Sequence, residues 1–249
     1  MANIGQLPDK IEKCPIREAI FELRFNPKVP GAAVFGVLYG GLKSAYPSFE
    51  QLPILQLPEP LRDMDPNLMF QPHYRLRGDG LLVQIGPRLI SVNVLEPYIG
   101  WSHFKSKILD VLNSVNSLDL IDTVSRFGLR YTNVFSEPIL DKIKVEVVVN
   151  DEQIVNPETS MRTVFDEGEG FKTILQIAGE VDVTPTNKPP FTGSMVDVDV
   201  SMSQENIEFF EHMDALLEKA HETEKSRFFG LLKKDFLETL EPSYAESNK

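Results

Sequence analysis

Arg17-Glu-Ala-Ile-Phe-Glu-Leu-Arg-Phe25 is the stretch whose reading decides the fold class. Ala19, Phe21, Leu23 and Phe25 alternate with Glu18, Ile20, Glu22 and Arg24. Period two predicts a strand with one apolar face and one charged face. Downstream, Pro30-Gly31 opens a segment in which Val34, Leu38, Leu42 and Ala45 recur at helical spacing, so a helix is expected over 32–46, stopped by Pro47. Prolines 47, 53, 58, 60, 66 and 72 then punctuate a stretch without sustained period, expected to be an ordered connection or a loop over a sheet edge.

Strand patterning returns at 73–77 and 81–85, with Gly78-Asp79-Gly80 as the hairpin signal between them. Gly86-Pro87 either turns the chain or marks a bulge before 88–95. A helix is expected from 97 or 98 to 115, carrying Trp101, Phe104, Ile108 and Leu112 on one stripe. Strands are expected at 123–135, 144–149, 161–165, 171–181 and 195–201, with Gly168-Glu169-Gly170 a hairpin turn and 184–193 a long loop. The end reads as helix over 204–240, interrupted near 221–224, where Thr223 is a candidate second N-cap.

Clustered strands with fewer helices predict an α+β fold. Its expected core is an extended, mostly antiparallel sheet with helices mainly on one face. The first half, strand-helix-strands-helix-strand over 1–135, resembles a split βαβ unit. The second half, 136–249, is a strand meander followed by a helical segment, and the two halves can equally form one continuous domain.

The 249 residues include 37 Asp plus Glu, 25 Lys plus Arg and a single cysteine, giving a formal charge of −12. Residues 1–135 carry a net +1, residues 136–202 a net −8 and residues 203–249 a net −5. With no basic run, nucleic acid is not an expected partner. No apolar run reaches the roughly 20 residues of a membrane span, and the N-terminal stretch lacks a signal-peptide core. Cys14 has no intrachain partner, so a reducing, cytoplasmic setting is expected.

Several blocks follow one another in order: Glu18–Phe25, Gly86-Pro-Arg-Leu-Ile-Ser-Val-Asn93, Tyr98-Ile-Gly-Trp101, Phe127-Gly-Leu-Arg-Tyr-Thr-Asn133, Val196-Asp-Val-Asp-Val200, and Phe228-Phe-Gly-Leu-Leu232 with Leu240-Glu-Pro-Ser-Tyr244. This ordered set resembles an uncharacterised, sporadically distributed prokaryotic family. The resemblance implies no activity and no catalytic residue; the patchy distribution suggests a defence-associated setting.

Among candidate site residues, Arg24, Arg75, Arg77, Arg126 and Arg130 fall on the polar faces of expected strands. Arginine's planar fork suits a phosphate or carboxylate, so these five are the candidate anion-binding set, weighed against an internal ion-pair layer. Asp197 and Asp199 share a strand face, as do Glu180 and Asp182; with no third ligand at motif spacing, no metal is expected. His221 and Lys225, four apart, read as a solvated helix face, and His73, His103, His212 and His221 are too scattered for a zinc site. No phosphate-loop, dinucleotide, metalloprotease or nucleophile-elbow motif occurs, and no cofactor is expected. Phe209-Phe210 and Phe228-Phe229 are adjacent pairs, so one ring of each must leave the stripe of its neighbour, making all four candidate interface residues.

These features favour a non-catalytic interaction or regulatory module, such as an acidic antitoxin or immunity-like partner of another protein, or a homo-oligomer. The alternative is a ligand-binding or enzymatic domain that takes a phosphate-bearing small molecule or nucleotide on the arginine face.

Overall fold

A computed structural model describes residues 7–78, 80–154, 158–185 and 189–244. The elements in chain order are β1 (Lys10–Ile11), β2 (Ile16–Pro27), α1 (Gly31–Leu42), β3 (Ser48–Gln51), a 3₁₀ turn (Pro53–Gln56), α2 (Glu59–Met64), β4 (Tyr74–Gly78), β5 (Leu81–Gly86), β6 (Leu89–Leu95), α3 (Trp101–Ser117) and β7 (Ile121–Phe135). There follow β8 (Val148–Val149), β9 (Glu152–Gln153), β10 (Ser160–Gly168), β11 (Phe171–Val183), β12 (Phe191–Ser203), α4 (Phe209–Leu231), α5 (Lys234–Thr239) and β13 (Pro242–Ser243).

Among the described residues, nine strands form one open sheet in the order β10-β11-β12-β7-β2-β6-β5-β4-β3. Every neighbouring pair in it is antiparallel. This is the expected α+β architecture. β2 lies between β6 and β7, which are therefore parallel to each other and joined through α3, so the split βαβ unit is β6-α3-β7 with β2 inserted. The alternation that predicted β2 is the cause of its position. Ala19, Phe21, Leu23 and Phe25 are fully buried under the helices, and both edges of the strand are paired.

The three long helices cover that apolar face. α4 packs on β12 and β7, α3 on β6, and α1 on β5. Phe209, at the start of α4, stacks on Phe21 at 5.9 Å and meets Phe127 at 5.1 Å, tying the last long helix to the sheet centre. Among the described residues, no helix is long and apolar enough to cross a membrane.

Several local expectations are corrected. The helix expected from 98 starts at Trp101, because Gly100 takes φ +83° and turns the chain into the first helical residue. The interruption expected at 221–224 does not occur: the Thr223 hydroxyl donates to the Lys219 carbonyl inside one continuous helix that runs to Leu231, and the break falls at Leu232 and Lys233, before α5. Of the strand expected at 144–149, only Val148–Val149 pairs, with β9. The proline-rich stretch supplies edge strand β3 and then folds back over the other face of the sheet, where Phe70 lies under the Arg24 guanidinium at 4.7 Å. The turns agree with expectation. Gly168, Glu169 and Gly170 all have positive φ between β10 and β11, and Gly86-Pro87 turns β5 into β6. Asp79 of the β4–β5 signal, and 186–188 of the expected long loop, lie outside the described residues.

Candidate ligand-binding site

The register places the arginines on the sheet face opposite the long helices, in two groups. β2 and β7 are neighbours, so Arg24, Arg126 and Arg130 come together. Arg75 and Arg77 on β4 are separated from them by β5 and β6. Each group meets carboxylates of the same chain. Arg126 donates to Glu22 at 2.6 Å and to both oxygens of Asp199 at 3.0 and 3.2 Å. Arg130 holds Asp197 through Nε and Nη2 at 2.5–2.9 Å, and Arg24 shares Glu22 at 2.8 Å. Arg75 and Arg77 both reach Glu50, at 3.1 and 3.0 Å, and their hydrogen bonds hold its carboxyl below the ordinary range.

Three cations thus face Glu22, Asp197 and Asp199 in a ladder across β2, β7 and β12. Asp197 is 1% exposed. Burial pushes the Asp199 carboxyl up, partly opposed by Arg126. Gly128 makes room for this arrangement. A Cβ at that position would lie 2.9 Å from Arg126 Nη1, so the guanidinium occupies the space a side chain would need.

Of the four phenylalanines, Phe209 and Phe228 are buried in the core, while Phe210 and Phe229 are half-buried at its margin. Glu208, Glu211 and His212 approach one another on the exposed first turn of α4 and its N-terminal flank, with His212 4.0 Å from Glu208.

A second assembly lies on the helical side, where the N-terminal segment, the entry to α3, β7 and α4 enclose a cavity of about 370 Å³. Tyr98 and Tyr131 share a hydroxyl–hydroxyl hydrogen bond of 3.0 Å, and burial pushes both phenols above their ordinary range. Trp101 lies nearly parallel to His221, with centroids 4.2 Å apart. The indole N–H donates to Glu218 at 3.1 Å, and Lys105 anchors the other oxygen of that carboxylate at 2.6 Å. Burial lowers the imidazole of His221 to about 4, so it is neutral at pH 7, and its Nδ1 is buried without a partner.

Glu224, one turn beyond His221, lines the cavity at 6% exposure and makes no hydrogen bond or ion pair among the described residues. Burial pushes its carboxyl up to about 8. Cys14 sits exposed at the rim; it takes the Ile16 backbone N–H, and partial desolvation by the surrounding residues raises its thiol.

The sequence reading placed His221 and Lys225 on a solvated face and passed over Glu224. A signal was present. Leu217, Ala220, Glu224, Phe228 and Leu231 follow one another at intervals of three and four, so the apolar stripe of α4 runs straight through Glu224. A carboxyl in the middle of such a stripe is either paired or neutral.

Comparison of the sequence with protein-family models and with curated proteins finds no match. The functional reading therefore rests on the chain's own geometry.

Proposed function

We propose that the chain is a non-catalytic, small-molecule-binding regulatory module whose ligand occupies the Tyr98–Trp101–Tyr131–Glu224 cavity. The observation that carries this reading is the buried, unpartnered Glu224 carboxyl in the wall of a mostly apolar cavity. Ligand sites have this composition: apolar lining, a few convergent polar groups and a volume of roughly 300–1,000 Å³. The arginine face supports the anion-binding alternative less well, because its cations already hold carboxylates, and an incoming phosphate would have to displace them.

A binding role is favoured over covalent catalysis by the state of the reactive groups. Cys14 is held as thiol rather than thiolate and contacts backbone, not an imidazole. His221 is a poor general base at neutral pH, being depressed to about 4. A ligand here would touch the N-terminal segment, β7 and two helices at once, a suitable arrangement for passing a signal to a neighbouring protein. The acidic surface suits contact with a basic partner.

Trp101 is the single tryptophan and Cys14 the single cysteine, so both report on the cavity without engineering. A panel of small amphipathic molecules should contain compounds that raise the unfolding temperature, change Trp101 fluorescence and slow alkylation of Cys14. A ligand at 100 times its Kd adds about 2.7 kcal/mol of stability. Compounds that stabilise the protein while leaving both reporters unchanged bind elsewhere, and that result would refute the assignment.

A further inference from the structure

The polar groups around the cavity are not all partnered. At its rim, Lys225 Nζ lies 3.6 Å from Asp9 Oδ1 and Lys10 Nζ lies 2.8 Å from Glu12 Oε1, so both lysines have carboxylate partners. Glu224 has none among the described residues, and its surroundings include the rings of Tyr98, Trp101, Tyr131, Phe228 and Phe229. Aromatic rings attract cations through their quadrupoles, more strongly where water is excluded. A carboxylate out of bulk water attracts a cation far more strongly than one on the surface.

We propose that this cavity accepts an organic monocation, a primary or substituted ammonium on an apolar body, with Glu224 as its counter-ion and the aromatic rings as its walls. The inference deepens the ligand-binding reading above and rests on it. The ammonium pairs with Glu224 as that carboxyl ionises, and the apolar body of the ligand fills the remainder.

Binding of this kind must move a proton. The titratable groups that line the cavity with Glu224 are Lys225 and His221 from its own helix, Tyr98 from the entry to α3, Tyr131 from β7, and Asp9, Lys10 and Cys14 from the N-terminal segment, Lys10 being paired with Glu12. At neutral pH the tyrosines, the thiol and His221 are uncharged, and Lys225 is held by Asp9. Glu224 is then the group that changes state: the incoming ammonium keeps its protons, the carboxyl gives one to solvent, and an ammonium–carboxylate pair remains. The affinity should therefore rise by up to about tenfold per pH unit below about 8.

The test is calorimetric titration of the full chain with 2-phenylethylamine, its neutral isostere 2-phenylethanol, and 3-phenylpropanoate, at about pH 6, 7 and 8 and in buffers of different ionisation heat. The amine should bind at least about tenfold tighter than the alcohol at pH 8, with release of about half a proton there and of close to one at pH 6 and 7, and its advantage should shrink as pH falls. Glu224→Gln should remove most of that advantage while leaving the alcohol within about twofold. The proton count is read on the unaltered protein, so the test stands even if the variant folds poorly. If the alcohol or the propanoate matches the amine, the cavity binds ligands but not as a cation site, and this inference is overturned while the binding reading survives. If no probe binds and none protects Cys14, both fall.

Discussion

The imidazole of His221 lies flat against the indole of Trp101, 15° from parallel, and the Glu218 carboxylate fixes the indole from its N–H edge. Glu218 is itself held by Lys105, so the ring that walls the cavity is braced on the side away from it. Both rings are half-buried, and that partial burial, with the Lys225 ammonium one turn away, depresses the titration of His221 to about 4. Imidazolium quenches indole emission, so Trp101 fluorescence in the free protein should fall in a step near pH 4, and His221→Gln should abolish it. A step at the ordinary histidine value of 6.5 would mean that the stack is open to water.

Glu224 predicts a stability profile. Its folded value, about 8, lies above its ordinary 4.5. The raised direction means that its contribution is complete below about 4.5, is lost as pH rises through 8, and is constant thereafter. The loss amounts to roughly 4–5 kcal/mol. His221 and His73 act in the opposite sense between about 4 and 6.5, their folded values being depressed. Both remain in Glu224→Gln, so the difference in unfolding free energy between parent and variant isolates the carboxyl. Glu224→Gln should match the parent in mild acid and exceed it increasingly up to about pH 8. Parallel curves would show that Glu224 is charged and partnered.

Arg130→Ala strands the Asp197 carboxylate, which is 1% exposed. Removing one member of a buried pair leaves an uncompensated charge. The Arg130 side chain is 43% exposed, so water can partly replace it and the expected loss is at the lower end, roughly 2–3 kcal/mol. Replacing both partners with apolar residues should cost less than the single change. Denaturant midpoints of the single and double variants check the ordering.

Two glycines should respond in opposite directions. Gly128→Ala forces Arg126 off Glu22 and Asp199 and should destabilise by about 1–3 kcal/mol. Gly230→Ala, in α4 with nothing within 4 Å of the added carbon, should stabilise by up to about 1 kcal/mol. Thermal unfolding of the two variants gives the signs directly.

Much of this architecture was legible in the sequence because period-two alternation is a local property. The strand of Glu18–Phe25 needed no partner to be recognised, and the Gly168-Glu169-Gly170 turn announced its own hairpin. The order of strands was not legible. Nothing near Arg75 says that two strands will separate it from Arg24, so the arginines read as one field when they form two groups. The cavity was hidden for a different reason. His221-Glu-Thr-Glu224 is polar by composition, and composition argued for a break. Phase argued the other way, since the apolar positions on either side of those four residues stay in helical register. The tertiary packing of α4 followed the phase.

The central position of β2 has a consequence for how the chain is made. Phe21 pairs across the sheet with Val92, 71 residues later, and with Leu129, 108 residues later. On the ribosome this apolar strand emerges before its sheet neighbours and then waits, both edges unpaired, while they are synthesised. At roughly 5–20 residues per second that interval lasts several seconds to tens of seconds. For that time a strand that is paired along both edges and buried on one face in the finished molecule is a sticky segment of nascent polypeptide. The charges of Glu18, Glu22 and Arg24, ion-paired or hydrogen-bonded in the folded sheet, keep it soluble until its partners arrive.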